Sequence, residues 1–130
     1  MVTTVAREFT TSERVALDRS IRAAEQVSRF EFSVFVGAAD GEARPFAERL
    51  HASLATPPRS VLIMVDPAAR LLEIVTGSVV RRVLPDDQVR LAAVAMQSAF
   101  AEGDLVGGIK RGLAQLADAA RTPATLHASS

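Results

Sequence analysis

The sequence predicts an α/β sandwich on a small mixed sheet of three to four strands, with one parallel crossover and one antiparallel hairpin. Three observations carry this. Segments of helical and strand periodicity alternate along the chain. Ser60–Asp66 is apolar on both faces, as a strand covered from both sides must be. A second short strand follows Asp66-Pro67-Ala68-Ala69, whose Asp and Pro occupy the first two positions of a type I turn.

The elements follow in order. Thr10 and Glu13 match a capping box, and Leu17, Ile21, Ala24 and Val27 recur at helical spacing, so the first helix is expected over 11–28. In Phe30–Val36 every even position is apolar and the odd ones are mixed, which reads as a strand with one well-buried face. Gly37 through Gly41 is a loop. Ala43, Phe46, Ala47, Leu50 and Leu54 mark a second helix near 43–55, stopped by Thr56-Pro57-Pro58-Arg59. Ser60–Asp66 is the central strand, and Arg70–Thr76 returns antiparallel beside it, nearer the sheet edge. Ser78–Leu84 is a short helix, and Pro85-Asp86-Asp87 starts a longer one burying Val89, Ala92, Ala93, Met96 and Phe100. Gly103 ends it. Asp104 is a good N-cap for a last helix with Ile109, Leu113, Leu116 and Ala120 inward.

That last helix carries Gly107, Gly108 and Gly112, each costing about 1 kcal/mol relative to Ala in a helix interior. Glycines so placed predict that another backbone comes very close. The Gly108-x-x-x-Gly112 spacing matches a membrane dimerisation face, but Lys110 and Arg111 exclude immersion in lipid. Packing against the sheet or the neighbouring helix is expected instead.

Composition narrows the function classes. The 130 residues fit one domain, expected over 1–120, with 121–130 losing periodicity as a loose tail. A chain this long buries roughly 70% of its unfolded surface. With 48% apolar residues it is not a disordered chain. The formal charge is zero, which argues against nucleic-acid binding, and no Trp or Tyr is present to stack on bases. The absence of Cys excludes a disulfide, a thiolate metal site and a cysteine nucleophile. The longest purely apolar run, Val61–Val65, falls far short of the ~20 residues that span a bilayer, and Met1–Phe9 lacks a signal-peptide core. A cytoplasmic protein is expected.

Four pieces of the chain carry a family resemblance over about residues 9–118: the Phe9–Leu17 lead-in; the Ser60–Asp66 and Leu71–Gly77 hairpin ending in Gly; the Val83-Leu84-Pro85-Asp86 step; and Phe100-Ala101-Glu102-Gly103-Asp104 followed by Gly108 and Gly112. In order and spacing they resemble a TPM domain, the family named for a thylakoid-lumen phosphatase, a photosystem II repair factor and a receptor-auxiliary protein. More closely, the chain resembles an actinobacterial group of unknown function related to that family. The resemblance implies an α/β/α sandwich. It implies either an acid phosphatase or a protein that acts by binding partners, and in some members divalent cations held by carboxylates. Many such relatives are exported and membrane-tethered. This chain departs from the pattern in having Pro57-Pro58-Arg59 before the central strand and Thr76-Gly77-Ser78 after the following one.

Topology alone points to two sheet edges. The third strand ends where the second begins, so Arg59, Thr76, Gly77 and Arg81 are expected to line one cleft with Asp86, Asp87 and Asp104. Either Asp86, Asp87 and Asp104 hold a divalent cation, Ca²⁺ or Mg²⁺, that polarises a phosphoryl group beside an Arg, or Asp86 and Asp104 simply cap helices while Arg81 is a solvated charge. Beyond the carboxyl ends of the parallel strands lie Asp40, Glu42 and Asp66, with Asp66 a turn former by its following Pro. His51 reads as a partly exposed structural histidine and His127 lies in the tail. Ser78 lacks the G-x-S-x-G elbow of a nucleophile. The expected function is a non-catalytic protein-binding or assembly module. The alternative is a weak, divalent-metal-assisted acid phosphatase acting on phosphomonoesters.

Overall fold

The computed structural model describes residues 3–5 and 9–121. Of the tail expected over 121–130, all but Arg121 lies outside the described residues, His127 included. Strand β1 (Thr3–Val5) leads to helix α1 (Thr11–Ser28), strand β2 (Glu31–Val36) and helix α2 (Ala43–Ala52). Strands β3 (Ser60–Asp66) and β4 (Leu71–Thr76) follow, then helices α3 (Asp86–Ala101) and α4 (Leu105–Ala119). Single 3-10 turns at Pro57–Arg59 and Val80–Arg82 precede β3 and α3.

The sheet has the order β1-β2-β3-β4. The β1–β2 and β2–β3 pairs are parallel and β3–β4 is antiparallel, with Ile63 opposite Val34 on one side and Ile74 on the other. The expected parallel crossover and hairpin are both present. β1 adds a fourth strand that the element order read from the sequence did not contain.

The alternation of each strand separates two cores. Phe32, Val34 and Val36 of β2, with Val61, Ile63 and Val65 of β3, pack against α1, α3 and α4. Leu62, Met64 and Val75 face α2 through Ala47, Phe46 and Leu50. Every residue of β3 is buried, which is why it reads as a continuous apolar run. The result is an α/β/α sandwich with three helices on one face and one on the other.

Local signals explain most element ends. Thr10 Oγ1 accepts from Glu13 N–H while Glu13 accepts from Thr10 N–H, so the capping box closes at 3.1 and 2.9 Å. Asp104 caps α4 by accepting from Gly107 N–H at 2.9 Å. Gly103 ends the α3 connection at φ +86°, where glycine carries no Cβ penalty.

Several expectations need correction. Val27 is exposed, and Ser28 turns inward with its hydroxyl donating to Ala24 C=O. α2 stops at Ala52, short of position 55, because the chain turns at Ser53. Asp86 is not an N-cap: Pro85 holds that position, and Asp86 and Asp87 occupy the first turn. Gly108 and Gly112 of α4 meet side chains of α3, not its backbone, and Gly107 meets the side chain of the N-cap Asp104. A Cβ on Gly112 would lie 2.2 Å from Met96 Sδ, and one on Gly108 2.5 Å from Phe100 Cε1.

Candidate functional site

The hairpin end brings Arg59, Thr76, Gly77 and Arg81 together, and it does so by packing them shut. Gly77 N–H donates to Ser60 C=O and Val79 N–H to Pro58 C=O, each at 2.9 Å. A Cβ on Gly77 would stand 2.0 Å from Pro57 O and 2.4 Å from Pro58 O. The backbone of the Pro57–Arg59 turn therefore fills the space that the sequence suggested as a cleft. Arg81 donates to Thr76 C=O. Arg59 lies over the Phe30 ring at 4.9 Å and donates to Arg29 C=O. Both guanidiniums are engaged in holding this edge.

His51 belongs to the same corner. It is buried, and its Nε2 lies 2.9 Å from Ser60 C=O. A carbonyl only accepts, so Nε2 carries the proton and this histidine is a structural donor. Its burial goes further than the sequence reading allowed.

α3 separates the proposed metal ligands. Asp86 and Asp87 stand at its N-terminus, beside the Val80–Arg82 turn, where their charge suits the helix dipole. Asp104 caps the helix that follows α3, at the opposite end. Sixteen residues at 1.5 Å rise place these ends about 24 Å apart. Among the described residues no three His, Asp or Glu side chains gather closely enough to hold an ion.

The other sheet edge is the open one. At the carboxyl end of β3, Asp66 is buried and its carboxylate accepts from Ala39 N–H and Ala69 N–H, at 3.1 and 3.2 Å. It thus ties the loop after β2 to the β3–β4 turn, as a turn former does. Asp40 and Glu42 are exposed nearby in that loop. Next to Asp66 lies a cavity of about 540 Å³. The β3–β4 turn and β4 supply Arg70, Leu71 and Leu72; the last turn of α3 supplies Gln97, Phe100 and Ala101; Leu105 opens α4. Its size falls within the range of ligand pockets. Arg70 is exposed and has no ion-pair or hydrogen-bond partner for its guanidinium among the described residues.

The outward face of α3 runs into this cavity. Leu91 is 55% and Val94 61% exposed, and Gln97 and Ala101 continue the same face to the cavity wall. No charged residue occurs from Leu91 to Ala101 on any side of the helix. A signal for this was present in the sequence: Leu91 and Val94 fall out of phase with the inward Ala92, Met96 and Ala99.

These features define the protein by class as a small α/β/α sandwich with a mixed sheet closed by a hairpin. Solved structures share that fold. The BA42 protein of the psychrophilic bacterium Bizionia argentinensis superposes with a TM-score of 0.79 at 22% identity, over 88% of this chain and 83% of that one. The N-terminal domain of the cg2496 protein of Corynebacterium glutamicum gives 0.77 at 12% identity, over 94% and 82%. The N-terminal domain of a P. gingivalis protein gives 0.72 at 16% identity, over 90% and 80%. Residues 2–117 match the family described as Domain of unknown function (DUF5130), and the chain belongs to that family. The uncharacterized protein Rv2468c of Mycobacterium tuberculosis (strain ATCC 25618 / H37Rv) is 29% identical over 101 residues, as is its counterpart from strain CDC 1551 / Oshkosh. That match takes in 78% of this chain and 60% of the relatives' length. No helix among the described residues is long and apolar enough to cross a membrane.

Proposed function

We propose that this domain is a non-catalytic protein-binding or assembly module whose contact surface is the outward face of α3 and the groove at its carboxyl end. One observation carries this. Over three helical turns, Leu91–Ala101, the helix has no charge, and it leaves Leu91 and Val94 mostly exposed. A surface helix ordinarily opposes its apolar stripe with charged residues. The centres of protein–protein interfaces are where charge is depleted.

The TPM resemblance is part of the proposal. It rests on the hairpin ending in Gly77, the Leu84-Pro85-Asp86 step and the Gly103–Gly112 segment. Within that family, members that act through partners fit this surface. The phosphatase alternative asks for a divalent ion shared by Asp86, Asp87 and Asp104, and the length of α3 works against it. A cytoplasmic setting belongs to the same proposal and rests on the sequence.

The test is a paired-variant experiment. Leu91→Glu/Val94→Glu should keep the wild-type melting midpoint, because both side chains already face water. It should lose a partner that the wild-type domain recovers from a lysate of the native host. Recovery of the same partner by both proteins would contradict the proposal. The purified domain should show no phosphomonoester hydrolysis with Mg²⁺, Ca²⁺ or Mn²⁺. Turnover lost in Asp87→Ala would favour the alternative.

A further inference from the structure

We infer that the groove between α3 and the free edge of β4 receives an extended peptide segment that pairs with Leu72 and directs a carboxylate to Arg70. This rests on the protein-binding reading and names the kind of partner.

The hydrogen-bond register gives the first step. Gly77 N–H bonds Ser60 C=O, and bonded pairs recur every second residue in an antiparallel ladder. With Leu62 opposite Val75 and Met64 opposite Glu73, those pairs take the bonds. The N–H and C=O groups of Leu72, Ile74 and Thr76 then point away from β3, at the open side of the sheet.

Two of those outward carbonyls are already covered. Arg44 Nη1 donates to Ile74 C=O at 2.9 Å, and Arg81 donates to Thr76 C=O. Arg44 also pairs with Glu73 at 3.2 Å, so its guanidinium is held across the strand. Charged side chains on an edge strand are a common device against unwanted pairing. Here the device stops short of Leu72. Among the described residues nothing else bonds the outward N–H and C=O of Leu72. Leu72 itself lines the 540 Å³ cavity.

A backbone donor and acceptor beside an apolar cavity suit an incoming strand, which supplies the matching pair and places alternate side chains into the pocket. Phe100, Leu71, Leu72 and Leu105 make that pocket apolar. Charge complementarity completes the choice. Arg70 and Asp66 are the charged residues of the lining. Asp66 is buried with its carboxylate bound by two backbone N–H groups, whereas Arg70 is exposed and unpaired among the described residues. A carboxylate on the peptide, at its C-terminus or on Asp or Glu, meets that guanidinium. A second copy of the chain suits the surface less well. The uncharged stretch of α3 is about 16 Å long and one helix wide, short of the roughly 800 Å² per partner of a standard interface.

The experiment uses a random short-peptide library displayed with free carboxyl ends, selected against the whole chain. Selected peptides should combine apolar residues with a carboxylate. Titrated into the isotope-labelled protein, they should shift the amides of Arg70–Leu72 and Gln97–Leu105 and slow hydrogen exchange at Leu72 N–H. Arg70→Gln should weaken binding at least about tenfold. Amidating the peptide end, or replacing its Asp and Glu by amides, tells which carboxylate is used, and the effective change should add little in Arg70→Gln. Leu72→Pro removes the outward donor without removing a ladder bond, and should weaken binding of the selected peptides. If Leu72→Pro fails to fold, Arg70→Gln decides. The inference is overturned by a selection that yields no peptide, by equal binding to Arg70→Gln, or by a dimer whose interface maps to the groove. Shifts confined to Leu91 and Val94 also overturn it while leaving the binding module in place. Failure of the Leu91→Glu/Val94→Glu test as well would remove both.

Discussion

Replacing Gly77 by Ala tests how the hairpin end is built. The glycine's φ lies outside the left-handed region, so alanine meets no conformational penalty there. The whole effect is steric. The new Cβ would stand 2.0 and 2.4 Å from the carbonyl oxygens of Pro57 and Pro58. These belong to backbone fixed by two prolines, and relief requires a retreat of more than about 1 Å. That retreat breaks the bonds from Gly77 N–H to Ser60 C=O and from Val79 N–H to Pro58 C=O. Two hydrogen bonds at about 1 kcal/mol each, with about 1–3 kcal/mol of overpacking, give a loss of about 3–5 kcal/mol. The melting midpoint should fall by about 10–20 °C. With no Trp or Tyr, the assay is far-UV circular dichroism during urea and thermal unfolding. Gly41→Ala is the control: its φ is +85° with nothing within 4 Å, so it should lose only the left-handed penalty of about 1–2 kcal/mol. A Gly77→Ala protein within about 1 kcal/mol of wild type would refute the packed-edge argument.

Three further outcomes are expected. Gly112→Leu should destabilise by about 1–3 kcal/mol, because Met96 fills the space and is itself fully buried, and Met96→Ala should recover part of that loss in denaturant titrations. Asp66→Ala should cost about 2–4 kcal/mol by freeing Ala39 N–H and Ala69 N–H, read as a lower urea midpoint and faster exchange of those two amides. Asp104→Ala should cost about 1 kcal/mol through the lost cap on Gly107 N–H, with no change in calorimetric response to Mg²⁺ or Ca²⁺.

Much of this fold is legible in local chemistry. Thr10 and Glu13 announce α1 because a capping box needs only four residues in sequence. β3 is visible because burial on both faces leaves no polar alternation. The hairpin follows from Asp66-Pro67, whose side chain and ring each favour one turn. β1 was missed because three residues are too few to establish a period. Val27 has the spacing of the apolar stripe yet stays exposed near the helix end, whereas Ser28 satisfies its own hydroxyl locally and goes inside. The site was harder to read. Topology places Arg59, Thr76, Gly77 and Arg81 at one corner of the sheet, but pattern does not tell a cleft from a close contact. Asp104 was grouped with Asp86 although α3 alone sets their separation. The groove escaped notice because a turn, a strand start and two helix ends build it, each unremarkable alone. The uncharged stretch from Leu91 to Ala101 was the available sign.

Position-specific photocrosslinking tests the binding surface most directly. A photoreactive residue at Val94 on α3, and another at the exposed Arg22 on α1, would be introduced into the chain in its native host. The account predicts a discrete crosslinked protein from position 94 and none from position 22. Equal labelling at both positions, or no adduct at 94, would contradict it.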